Sequence, residues 1–169
     1  MKIAPRLLAF VLVAAVASLP FAASAAERIG TFEKWEVVTF AEGDAKGCYV
    51  MSRPDKEEGN YTERDPAAVF VTHRPAQGAV GVVSISAGYP FDETKPVLVE
   101  IGGTTFSLFA RGDTAWAQDA DDPKLVAAMK NGNNMIVMGT STRGTDTRDT
   151  YSLIGFTKAY EAANSACGL

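Results

Sequence analysis

Histidine and cysteine are nearly missing from this chain: 169 residues contain one histidine, His73, and two cysteines, Cys48 and Cys167. One histidine cannot build a metal site alone, and it would have to serve as the only base for any catalytic thiol. Basic residues are also short, with 16 Lys and Arg against 20 Asp and Glu. A chain without a basic stripe cannot neutralise a run of phosphates, so nucleic acid and anionic lipid are poor partners. No glycine-rich phosphate loop, nucleophile elbow or pair of catalytic carboxylates can be read from the spacing. These absences point to a non-enzyme with no cofactor and no metal.

Long apolar runs are absent too, apart from one at the N-terminus. Lys2 and Arg6 precede an apolar stretch from Leu7 to Ala17, Pro20 breaks it, and Ala23-Ser24-Ala25 supplies the small residues a signal peptidase accepts. The apolar stretch is shorter than the roughly 20 residues of a spanning helix. Residues 1–26 therefore read as a cleaved export signal, which places the product in a bacterial periplasm or beyond it. No cysteine lies near the cleavage point to carry a lipid, and no later segment is apolar enough to be an integral membrane span. Loss of Lys2 and Arg6 leaves 14 basic against 20 acidic residues, a net charge of −6. Residues 27–169 suit a single domain, since two would leave each with a meagre core.

Short β-prone runs separated by Gly, Pro, Asp and Asn dominate this domain, the spacing of a sandwich or barrel. Strands are expected at 35–40, 48–52, 69–73, 80–87, 97–101, 104–109, 114–117, 134–140 and 147–153. Gly102-Gly103 separates two of them by the two residues of a tight hairpin, whose central positions need positive φ. Arg111-Gly112-Asp113 makes the next turn, so 97–117 reads as a three-stranded meander. The polar segment 53–66 reads as a mobile surface loop. Its Asn60-Tyr61-Thr62 matches a glycosylation acceptor only by accident if the signal is bacterial.

Two helices interrupt the strands. Asp121 or Asp122 is placed to cap the first, Pro123 suits its opening turn and Gly132 ends it, with Leu125, Ala128 and Met129 on one face. The second runs from about 155 to 165 with Phe156, Ala159, Tyr160 and Ala163 on one stripe, which Cys167 continues. Cys167 thus points inward toward the strand that bears Cys48. In an oxidising compartment the two are expected to form a disulfide closing a loop of roughly 120 residues; the alternative is a pair of buried thiols acting as small apolar residues.

Other candidates have plainer readings beside them. His73 shares a strand face with Val69 and Val71, as a packed histidine would. Asp119, Asp121 and Asp122 lack the ligand spacing of a calcium loop and fit a helix start. Arg111, Gly112 and Asp113 form a tripeptide that adhesive proteins use at hairpin tips, though Gly112 with two wet flanking charges also suffices for a turn. Tyr89, Phe91 and Trp116 offer the lining of an apolar pocket for a small-molecule-binding module, with core packing as the alternative.

Across nearly all of residues 27–169 the chain resembles the invasion-associated locus B family of exported bacterial proteins. The resemblance rests on Trp35, on Cys48-Tyr49 with Ser52 and Pro54, on Gly88-Tyr89-Pro90-Phe91 and on Ala115-Trp116. Its most specific part is Thr140-Ser141-Thr142-Arg143-Gly144-Thr145, then Asp149-Thr150-Tyr151-Ser152-Leu153 and Gly155-Phe156, ending at Cys167. It implies an immunoglobulin-like β-sandwich, mainly β with two short helices, in the periplasm or at the cell surface, acting through a protein or envelope partner. It implies no catalytic residues, and a tie to host-cell invasion comes with the family's name alone. Relatives carry a further cysteine in the first strand, where this chain has Val38-Thr39, so no second bridge is implied.

Overall fold

The computed structural model describes residues 26–169, so the expected export signal at 1–26 lies, but for Ala26, outside the described residues. The described chain is mainly β. Its strands are β1 (Glu27–Phe32), β2 (Trp35–Glu42), β3 (Ala45–Ser52), β4 (Lys56–Gly59), β5 (Ala68–Arg74), β6 (Ala79–Ser86), β7 (Val97–Ile101), β8 (Thr104–Arg111), β9 (Thr114–Trp116), β10 (Asn134–Thr140) and β11 (Asp146–Ser152). The helices are α1 (Asp122–Asn131) and α2 (Phe156–Cys167). All nine expected strands are present, joined by β1 and β4.

Every pairing is antiparallel, in the order β1-β2-β3-β5-β6-β9-β8-β7-β10-β11-β4. Strand β8 belongs to both halves: Thr104 to Leu108 pair with β7, and Phe109 to Arg111 pair with β9. The two halves share one hydrophobic core, fed by the period-2 alternation of each strand. From one half come Val37, Val50, Val71 and Val83, which lie directly opposite one another on successive strands. From the other come Val99, Val137, Ile101 and Met135. Trp35, fully buried, links the halves by donating its indole N–H to the Ser152 carbonyl at 3.0 Å.

Helix α2 covers β2 and β3 with the stripe its sequence predicts: Phe156, Ala159, Tyr160 and Ala163 are buried, and the Phe156 ring meets Trp35 edge-on at 4.8 Å. Cys167 closes the stripe and is bonded to Cys48, with 6.0 Å between their Cα atoms. Helix α1 packs on β6 through Leu125, Val126 and Met129. Its start differs from the expected carboxylate cap, since no side-chain cap bond forms. Asp122 lies at the first helical turn and turns inward to accept the Val83 N–H at 2.8 Å, while Asp121 pairs with Lys124. Burial raises the Asp122 pKa, partly offset by that N–H, and Asp119 and Asp121 raise it further.

The segment 53–66 is the second departure. It was expected as a free polar loop, yet Lys56–Gly59 forms β4 along the edge of β11, and the Asp55 N–H donates to the Thr150 carbonyl at 2.7 Å. An edge strand needs only backbone bonds and a wet outer face, so Lys-Glu-Glu-Gly carries no apolar alternation that would announce it.

Candidate functional site

Strand β11 alternates like any half-buried strand, which sends Thr147, Asp149 and Tyr151 to the inner face and Arg148 outward. A carboxylate at an inward position has to find a partner or lose its charge. Asp149 finds Arg64, which reaches in from the segment after β4. Two guanidinium nitrogens, Nη1 and Nη2, donate to the two carboxylate oxygens at 2.7 and 2.5 Å, and both side chains are only 3% exposed. A third donor, Nε, bonds the Ala87 carbonyl at 2.5 Å.

The guanidinium carbon also lies 5.1 Å from the centre of the Tyr89 ring and 5.6 Å from that of Tyr61, within cation–π range of both. Burial pulls the Arg64 pKa down, but the bond and charge of Asp149 outweigh it, so the group stands above its ordinary value and stays charged. The Tyr89 hydroxyl and Thr147 Oγ1 are 2.6 Å apart, which fixes the second ring as well.

Glycine permits the final approach. Gly88 has φ of +71°, and a Cβ there would collide with the Asp65 carbonyl. The Asp65 N–H instead donates to the Gly88 carbonyl at 3.2 Å, laying the 60–65 segment against 88–90.

On the far side stands the turn between β10 and β11. Ser141 Oγ accepts the Thr145 N–H at 3.1 Å, and the Thr142 N–H bonds the Pro90 carbonyl at 2.9 Å. Between the 60–65 wall and the 141–147 wall lies a cleft of about 870 Å³, floored by Gly88, Tyr89 and Pro90. Exposed Arg143 stands at its rim and forms no ion pair among the described residues. One wall is thus built from the run that carries the most specific family resemblance, and the floor from Gly88-Tyr89-Pro90.

The model of the family described as "Invasion associated locus B (IalB) protein" matches residues 35–164. The chain belongs to the invasion associated locus B family. Among solved structures it is similar to invasion associated protein B from Bartonella henselae, with a TM-score of 0.58 at 19% sequence identity, over 85% of this chain and 97% of that one. At that identity the likeness is one of fold. Among curated proteins none matches significantly.

The residues singled out from the sequence fall in several places. Cys48 and Cys167 are joined. Tyr89 lines the cleft; Phe91, buried, meets it edge-on at 5.2 Å. Trp116 lies elsewhere, on the outward face of β9, stacked on Phe109 with ring centres 6.0 Å apart. Arg111, Gly112 and Asp113 form the exposed β8–β9 turn, whose backbone is docked: Gly112 donates to Glu93 Oε1 and accepts from the Phe91 N–H, both at 2.8 Å.

Sequence reasoning missed Arg64, Asp149, Thr147 and Tyr61 as members of one site. The available signal was Asp149 itself, an acid at an inward position of an alternating strand.

Proposed function

We infer that this chain is an exported, non-enzymatic member of the invasion associated locus B family that works in the periplasm or at the cell surface through a protein or envelope partner, which it holds in the cleft between 60–65 and 141–147. The observation that carries this is the Arg64–Asp149 pair, which pins one wall of the cleft from within. A wall held by a buried bidentate pair is ordered before a partner arrives, so binding loses less entropy in ordering it. The two charges are spent on each other and on Ala87, which suits scaffolding better than proton transfer.

The remaining lining is hydroxyls, the Asn60 amide, the carboxylates of Glu63 and Asp65 on one wall and the free Arg143 on the other, chemistry for a polar segment of a partner rather than an apolar small molecule. A role in host-cell invasion is the narrower form of this reading and requires exposure on intact cells.

A photo-crosslinking residue at Thr142, on the cleft rim, tests it in the living envelope against the same residue at Lys158 on α2. A discrete adduct from Thr142 that Thr145→Trp abolishes by filling the cleft supports the reading. Equal adducts from both positions, or none from Thr142 at native expression, overturn it.

A further inference from the structure

The outward face of the sheet carries a second surface, separate from the cleft. Alternation turns Met51, Phe70, Ser84, Trp116 and Phe109 outward on β3, β5, β6, β9 and β8, and the register sets each directly opposite the next. They form one straight row across five strands. Tyr49 extends it by meeting Phe70 edge-on at 5.7 Å, and Phe40 lies 6.0 Å beyond Tyr49.

Ser84 is the small member, so a slot opens between Phe70 and Trp116, two strand spacings or about 10 Å apart. Hydroxyls of Thr72, Ser84, Ser86 and Thr114 line the hollow of about 390 Å³ beside it. Aromatic faces separated by a floor of hydroxyls present alternating apolar and hydrogen-bonding surface, with no side chain needed to close over a ligand.

Charge and area narrow the occupant. Arg74 lies over the Phe40 ring at 5.4 Å but is paired with Glu42 at 3.2 Å, and Glu36 is paired with Arg28 at 3.5 Å. At the rim, Arg111 and Asp113 flank the turn before Thr114, which donates its hydroxyl to Asp113 at 2.9 Å, and Arg53 follows Met51 and Ser52; the two turn charges are of opposite sign. The strip itself is neutral on an acidic chain, which disfavours a polyanion and a basic peptide alike. It is about 20 Å long and about 7 Å wide by strand and residue spacing, far less than the roughly 800 Å² per partner of a stable protein interface. A second copy of this chain would therefore be held poorly, whereas a narrow linear ligand needs no more than a strip.

We propose that this aromatic and hydroxyl strip binds a neutral, β-linked polysaccharide chain, its pyranose rings stacked on Phe70 and Trp116 and its hydroxyls bonded to the Ser and Thr floor. The apolar C–H face of each sugar ring meets the electron-rich ring face, and the equatorial hydroxyls reach the side-chain oxygens, which both donate and accept.

Of the two tryptophans, Trp35 is fully buried, so tryptophan emission that responds to ligand reports Trp116. Titration with β-1,4-linked hexasaccharides of glucose and of N-acetylglucosamine is expected to give a saturable change in that emission with at least one of them. Phe70→Ala should weaken binding about tenfold, the loss of one stacked ring. Phe109→Ser, at a 40% exposed position that leaves the core intact, should weaken it less and serves if Phe70→Ala does not fold. Thr145→Phe, which narrows the cleft without adding a tryptophan, should leave sugar binding unchanged, so this surface and the cleft stand or fall separately. No saturable response to either hexasaccharide up to millimolar concentration overturns the proposal, as does unaltered affinity in the Phe70 and Phe109 variants.

Discussion

Arg64→Met is the substitution whose consequence the structure determines most fully. Methionine keeps much of the stem's volume but removes three hydrogen bonds, two to Asp149 and one to Ala87. Asp149, 2% exposed, is then left as a carboxylate in the core with no counter-charge. Removing one member of such a pair costs about 3–5 kcal/mol, most of it the desolvation of the survivor. For a domain of this size each kcal/mol lowers the melting temperature by about 4 °C, so a fall of about 12–20 °C is expected.

Asp149→Leu alone should do comparable damage by stranding the guanidinium. The double variant Arg64→Met, Asp149→Leu strands nothing and should return to within about 1–2 kcal/mol of the parent, because a buried pair gains little over apolar residues of similar volume. Urea unfolding of the four oxidised proteins, followed by circular dichroism, measures both effects. A single variant losing under about 1 kcal/mol, or a double variant no better than the singles, would refute the reasoning.

Three further outcomes follow from other buried groups. Cys167→Ser opens a loop of 119 residues, for which the chain-entropy model gives about 5 kcal/mol, so thermal melting in oxidising buffer should show a large drop and an unchanged midpoint would contradict it. His73 is fully buried, takes the Gly81 N–H on Nδ1 at 3.1 Å, and is held neutral by burial and by the charge of Lys130, which both lower its pKa. The folded state then binds fewer protons than the unfolded one, so stability is full above about pH 6.5 and declines below it by at most about 1.4 kcal/mol per pH unit until the folded pKa is reached. His73→Phe should flatten that slope in melts from pH 7.5 to 4.5, and an equal slope in both proteins rules the assignment out. Tyr151 buries a hydroxyl with no hydrogen-bond partner among the described residues, so Tyr151→Phe should leave stability unchanged or raise it by about 1 kcal/mol, and a loss above that in urea would reveal a missed partner.

How far the sequence could be read depended on whether a residue's role was local. Gly102-Gly103 joins β7 and β8 at φ values of +56° and +83°, because a two-residue hairpin specifies its own backbone. The apolar stripe of α2, down to Cys167, follows from helical periodicity alone. The start of α1 was misread because two adjacent aspartates look alike in sequence, and only the approach of β6 decides that Asp122 turns inward to Val83. The segment 53–66 was misread for the same reason on a larger scale. Its β4 exists by pairing with β11, and its Arg64 is buried by a residue 85 positions away, so composition showed only its charge. The cleft was illegible as a whole, since its two walls and floor come from three separated stretches. The resemblance marked the 141–147 wall and the floor without saying what they enclose.

The central claim is that the buried pair holds the 60–65 wall in place and does little else. Amide hydrogen exchange on the Arg64→Met, Asp149→Leu protein tests it most directly, because global stability is expected to survive there while the pin is gone. The account predicts that the Asp65 amide, bonded to the Gly88 carbonyl, loses at least about tenfold more protection than Val69 and Val71 in β5, whose exchange follows global stability alone. Unchanged protection at Asp65 would mean that the wall is held by its backbone alone, and the claim would fall.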